Sequence, residues 1–170
     1  METTCPELEI AFLKPRWKCV CRIEHGTNLT KGKSGRSGRI LEAARGVVEQ
    51  FGCYSWSANG AVMYCGSYSE YDAKHFKSNL EGRIYQYLTN HKRDGAGLPK
   101  NTNAEVFDHI NRALSECEVI LQVFLFERCR LGSELVDFSS YATDPFLARA
   151  VEKLLICVYR RHGQCTWNKE

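Results

Sequence analysis

The stretch that most restricts the fold is residues 52–67, GCYSWSANGAVMYCGS. An Asn-Gly pair between two β-favouring runs is a strong short-range signal for a hairpin. Two registers are open to it. A two-residue turn at Asn59-Gly60 sets Tyr54 opposite Cys65 and sends Tyr64 to the other side of the sheet. A three-residue loop, Ala58-Asn59-Gly60, sets Tyr54 opposite Tyr64, with Gly60 as the left-handed residue that closes such a loop. The second register is the expected one. It places two phenols on one face, roughly 5 Å apart at Cβ. Paired aromatics across a hairpin are ordinarily packing, so the hairpin alone does not make an active site.

The chain around it has 170 residues, 44% of them hydrophobic, which suits a single structural domain with its own core. No apolar run approaches the roughly 20 residues of a membrane span. The start, METTCPELEI, carries acids and lacks the basic stretch and apolar block of a secretory signal. Nine cysteines, an odd number set in apolar runs as at Cys117 and Cys157, read as free thiols of a cytoplasmic protein. Cys19 and Cys21 have a conceivable zinc role with Cys129 or Cys165. Their CxC spacing is not that of a zinc knuckle, and in a strand both thiols simply face one side. The net charge of +3 admits an anionic partner without requiring one.

LEIAFL (8–13) and WKCVCRI (17–23) suggest an N-terminal hairpin. Residues 24–39 are rich in Gly and Ser and carry Lys31, Lys33, Arg36 and Arg39. They read either as a solvated linker or as a flexible arm that reaches phosphates. Ile40, Leu41, Ala44, Val47, Val48 and Phe51 recur at helical spacing over 38–51, with Gly52 ending the helix. A second helix is expected from about Ser78 to His91 behind the capping box SNLE. A third, of about 13 residues, follows the capping box TNAE (102–105), and EVILQVFLFE (118–127) reads as a central strand. Asp144-Pro145 opens a last helix that runs to about Arg161.

The order of GCY, MYCG, RIYQY, VEKLLI and TWN resembles the GIY-YIG nuclease superfamily over about residues 52–168. Gly52-Cys53-Tyr54 stands in place of GIY and Tyr64-Cys65-Gly66 in place of YIG. Cysteine replaces the middle residue of each motif, and the spacing from Tyr64 to Arg83 is longer than in compact members. The resemblance implies an α+β fold, a small antiparallel three-stranded sheet flanked by helices. Residues 1–51 would be an N-terminal extension bearing the basic arm, packed on a core at 52–170 with an insertion at about 91–117.

The resemblance also implies a chemistry. Tyr54, Tyr64, Arg83, Tyr87, Glu152 and Asn168 occupy the family's catalytic positions. Glu152 would hold one Mg²⁺ or Mn²⁺ per active site, since one carboxylate with waters and substrate phosphate is a common way to bind Mg²⁺. Arg83 would bind the scissile phosphate as a permanently charged fork, which lysine does not reproduce. Tyr54 is the expected general base, with Tyr64 and Tyr87 holding water and phosphate. A phenol in that role must ionise about three pH units below its ordinary range near 10, about 4 kcal/mol of differential stabilisation. Asn168 would tie the last segment to the site.

Lys74, His75, His91, Lys92 and Arg93, which bracket the Arg83 helix, are further candidates for DNA contact, beside the four cations of the 24–39 arm. The reading is a metal-dependent endonuclease of double-stranded DNA, of the kind found in Type II restriction enzymes that carry their own recognition elements. A two-fold dimer is expected if its target is palindromic. The alternatives are a repair or mobile-element nuclease of the same family, and a non-catalytic nucleic-acid-binding module.

Overall fold

A computed structural model describes residues 17–29, 35–47, 51–69, 79–89, 94–124, 129–131, 134–136 and 145–169. Along the chain run β1 (Trp17–Ile23), α1 (Gly35–Arg45), β2 (Phe51–Ala58), β3 (Ala61–Ser69) and α2 (Leu80–Thr89). After them come α3 (Thr102–Leu114), β4 (Val119–Phe124), β5 (Cys129–Leu131), β6 (Glu134–Val136) and α4 (Pro145–Arg161).

The hairpin forms where the sequence places it, but through a different turn. Asn59 and Gly60 both adopt positive φ, 53° and 77°, and make a tight two-residue connection whose twist suits the flanking strands. Ala58 faces Ala61 and Ser57 faces Val62, yet Trp56 faces Tyr64. Met63 is therefore an extra residue in β3, a β-bulge. Tyr54 lies opposite Gly66, not Tyr64. The expected loop and pairing are thus corrected. One residue inserted in the strand has the same effect on sidedness as one inserted in the loop, so both phenols still share a face, as diagonal neighbours.

The fold is α+β, with an antiparallel sheet of four strands in the order β1-β4-β2-β3. The strand beyond the expected three is WKCVCRI, which pairs with β4 and so belongs to the sheet itself. A bulge interrupts it between Cys19 and Cys21. LEIAFL lies outside the described residues. β5 and β6 form a separate two-stranded ribbon.

Three further expectations change. The first helix ends at Arg45, and Phe51 opens β2 opposite Ser69. The apolar period of 40–51 is shared between two elements, and strand pairing claims its end. The 24–39 segment is not free along its described length. Gly26 turns at a φ of 74° and donates its N–H to the Leu114 carbonyl at 2.7 Å, while the Leu29 N–H donates to Asn111 Oδ1 at 3.0 Å. Thr27, Leu29 and Ser37 are buried, so 24–29 packs on α3 and 35–39 begins α1. Both capping boxes also shift. Asn79 caps α2 through the Gly82 N–H (2.9 Å) and Asn101 caps α3 through the Ala104 N–H (2.9 Å). Asparagine is as good an N-cap as serine or threonine, and in each case it stands beside the residue the pattern favoured.

The sheet is covered on both faces. Tyr54, Trp56, Tyr64, Leu121 and Val123 meet side chains of α1, α2 and α3, including Leu41, Ile84, Tyr87 and Ile110. Cys53, Cys65 and Phe124 meet Val151 and Leu155 of α4 on the other. No helix among the described residues is long and apolar enough to cross a membrane.

Candidate active site

The site is built around β3. Tyr54 lies flat across the strand at Gly66, where an added Cβ would come within 2.5 Å of Tyr54 Cζ. Only glycine leaves room for the ring. Gly52 stands in the same relation to Tyr68, with 3.1 Å to its Cζ. The glycines of GCY and YCG are thus seats for tyrosine rings from the neighbouring strand.

From that seat the Tyr54 hydroxyl meets the Tyr87 hydroxyl on α2, and Tyr87 donates to Tyr64 Oη at 3.1 Å. The three rings stand 6.0–6.2 Å apart at their centroids. Each phenol has one proton. If Tyr87 gives its proton to Tyr64, Tyr54 must give its own to Tyr87, and the Tyr64 O–H is the open end of the chain. Exposure follows the same order at its extremes, 1% for Tyr54 and 8% for Tyr64.

Burial dominates the acidity of all three. It pushes Tyr54 well above the ordinary phenol range, helped by Tyr64 and Glu152 and opposed by the charge of Arg83. Tyr64 is raised chiefly by burial and also by Glu152, against the hydrogen bond from Tyr87 and the charge of Arg83. Tyr87 is raised by burial, then by the other two phenols. In the free protein the cluster is protonated. The expectation that Tyr54 is a ready base runs against its burial.

Arg83 is half-buried on α2, one turn before Tyr87. Its Nε is buried without a hydrogen-bond partner, and no acid pairs with the side chain among the described residues. The nearby Glu81 is taken by Arg45 at 2.7 Å. A half-buried guanidinium left uncompensated is a ready seat for an anion.

Glu152 reaches β3 from the other face. It is half-buried on α4, and the Ser67 hydroxyl donates to its Oε2 at 2.5 Å. Oε1 has no partner among the described residues, so a cation has an oxygen to bind. No cluster of three or more metal-ligating side chains occurs among the described residues, and Glu152 is the carboxylate that the site offers a cation there. That donor set suits Mg²⁺, which keeps most of its waters. Ser67 is the member that sequence reasoning missed. Its one signal is position, immediately after Tyr64-Cys65-Gly66 and opposite Cys53.

Asn168 clamps the tail to β3 by accepting from the Cys65 N–H (2.9 Å) and donating to the Cys65 carbonyl (2.8 Å). The N–H groups of Cys165 and Trp167 donate to the carbonyls of Val62 and Met63, so the tail covers the β3 edge. Cys165 Sγ lies 3.5 Å from Cys65 Sγ, away from any Cys19–Cys21 centre. Cys19 is exposed, and Cys21 is pushed up to about 12 chiefly by burial.

Of the expected DNA contacts, Arg39 is exposed on α1. The side chains of Lys31, Lys33, Arg36, Lys74, His75, His91, Lys92 and Arg93 lie outside the described residues.

No model of a known protein family, no curated protein and no solved structure matches the chain.

Proposed function

We propose that the chain is a metal-dependent endonuclease of GIY-YIG type that hydrolyses phosphodiester bonds in double-stranded DNA, as a Type II restriction enzyme does. The observation that carries the reading is convergence. Arg83 stands one turn before Tyr87 on α2, Tyr87 joins Tyr54 to Tyr64 by hydrogen bonds, and Ser67, three residues after Tyr64 on β3, holds Glu152 of α4. An arginine and a carboxylate oxygen without partners among the described residues, with a hydrogen-bonded phenol, are the parts that phosphodiester hydrolysis requires.

Arg83 holds the phosphate and takes up charge as the transition state forms. Tyr64, the open end of the phenol chain, orients the attacking water and accepts its proton. Tyr87 and Tyr54 fix Tyr64 by their hydrogen bonds and remain dry. Ser67 aims Glu152 and Asn168 holds the strand that carries Ser67 and Tyr64. A Mg²⁺ on Glu152 would lower the pKa of a coordinated water and neutralise phosphate charge. Such a cation, held by Glu152, would add the positive charge that favours the ionised form of Tyr64.

A second reading is a nucleic-acid-binding module without catalysis, favoured by the burial of Tyr54 and Tyr87. Incubation of the purified protein with plasmid DNA and Mg²⁺ separates the two. Discrete fragments mean a sequence-specific nuclease and a smear an unspecific one. Intact plasmid in the presence of either Mg²⁺ or Mn²⁺, with binding retained, favours the module.

A further inference from the structure

Away from the phenols, between α3 and the tail that follows α4, lies a cavity of about 590 Å³, lined in part by Glu105, His109, Arg160, Trp167 and Lys169. That volume falls in the range of small-molecule sites, about 300–1,000 Å³. None of these five side chains takes part in the chemistry above.

The wall is a stacked pair. The His109 and Trp167 rings lie 5.4 Å apart at their centroids and within 10° of parallel. Trp167 is buried at 9% exposure, and His109 is half-exposed. The outward aromatic face is therefore the imidazole, backed by a rigid indole. Its ring nitrogens make no hydrogen bond among the described residues. Burial, with Arg112 beside it, holds His109 below its ordinary range, so at neutral pH it presents a neutral aromatic face.

The cations are organised as well. Arg160 Nη2 donates to the carbonyls of Asn168 (2.7 Å) and Lys169 (2.8 Å), which fixes the guanidinium at the cavity. Lys169 Nζ pairs with Glu105 at 2.8 Å, and this neutralises the one carboxylate among the described lining residues. The excess charge is positive and belongs to Arg160.

We propose that this cavity binds one nucleotide, its base stacked on His109 and its phosphate held by Arg160. A planar ring and an anionic group a few ångströms apart match an aromatic wall beside a fixed guanidinium. The site requires binding alone, so it stands whether or not the chain cuts DNA.

The test uses the full chain with chelator, so that nothing is cleaved, and three probes: adenosine monophosphate, an eight-nucleotide single-stranded DNA, and abasic DNA of the same length. The wild type is expected to bind the base-bearing strand about tenfold more tightly than the abasic one, the order given by one stacked base. His109→Ala removes that difference without weakening the abasic strand, and His109→Phe restores it. Adenosine monophosphate binding with the same His109 dependence identifies free nucleotide as a ligand. Binding of the strand alone identifies the ligand as part of a polynucleotide. The proposal is overturned if no probe binds, if the two strands bind wild type equally, or if His109→Ala weakens both strands alike. The first two outcomes need no variant to fold.

Discussion

The two faces of β3 are built from opposite materials. On the α2 face three phenols stand tilted or edge-on to one another, joined in a hydrogen-bonded chain and nearly dry. On the α4 face a half-buried carboxylate is held by a serine and keeps an oxygen without a partner among the described residues. Neither half alone would serve the proposed hydrolysis. A dry phenol cluster is a poor acid or base on its own, because burial penalises its charged form. A lone glutamate holds a cation but does not orient a phosphate. The difference assigns fixed geometry to the buried face and a carboxylate charge to the open one, while Arg83 stands beside the phenols on α2.

The comparison breaks first at Arg83. Arg83→Lys is expected to lower cleavage by about 100-fold or more, because a point charge replaces a planar fork. Its melting temperature should stay close to that of the wild type, since no ion pair among the described residues is lost. If activity survives and stability falls, Arg83 belongs to the packing of the buried face.

Gly66→Ala attacks the seat of Tyr54. The added methyl overlaps the ring, and overpacking of a tight site costs about 1–3 kcal/mol. Chemical denaturation should show that loss, and Tyr54→Ala in the same chain should recover part of the strain. No loss in Gly66→Ala would mean that the ring does not rest on the strand.

Ser67→Ala tests the open face more gently. Loss of a partner that orients a metal ligand typically weakens metal affinity or activity by about 10–100-fold, and the lower end is expected here. A titration of cleavage rate against Mg²⁺ should shift to higher concentration at unchanged fold stability.

The smallest effect is alkaline. The phenols of Tyr54, Tyr64 and Tyr87 are raised by burial, as is the thiol of Cys53. A group whose folded pKa is raised contributes stability that is intact below its unfolded value and is lost as pH rises beyond it. Thermal stability should therefore hold up to about pH 8.5 and decline above about pH 9–10, where unfolded thiols and phenols ionise. Tyr54→Phe should flatten the upper part of that decline. Phenols that ionise in the native state near pH 10, followed by ultraviolet absorbance, would mean the cluster is wet.

Much of this was legible in the sequence. Thirteen residues of α3, the proline that opens α4 and its end at Arg161 follow from caps and apolar spacing. Grouping Tyr54 and Tyr64 on one face was also legible, but by the wrong device. A left-handed Asn59 makes a two-residue turn possible, and the bulge at Met63 restores the alternation that the turn upsets. Bulges leave little mark on composition. The end of α1 was hidden because Val47, Val48 and Phe51 satisfy a helical period while being good strand formers. Ser67 was hidden because a single serine after a motif carries no periodicity, and its partner is 85 residues away. The fourth strand was read as part of a separate hairpin because its partner β4 lies about a hundred residues further on.

The central claim is that Glu152 on the open face does chemistry which the buried face only organises. The most direct measurement is cleavage of duplex DNA by Glu152→Gln beside wild type, with DNA binding followed in the same samples. The amide keeps the size of the side chain and can still accept from Ser67, but it loses the charge that holds a cation. The account predicts cleavage at background, binding retained and a melting temperature close to wild type. Cleavage at the wild-type rate would contradict it and move the site elsewhere in the chain.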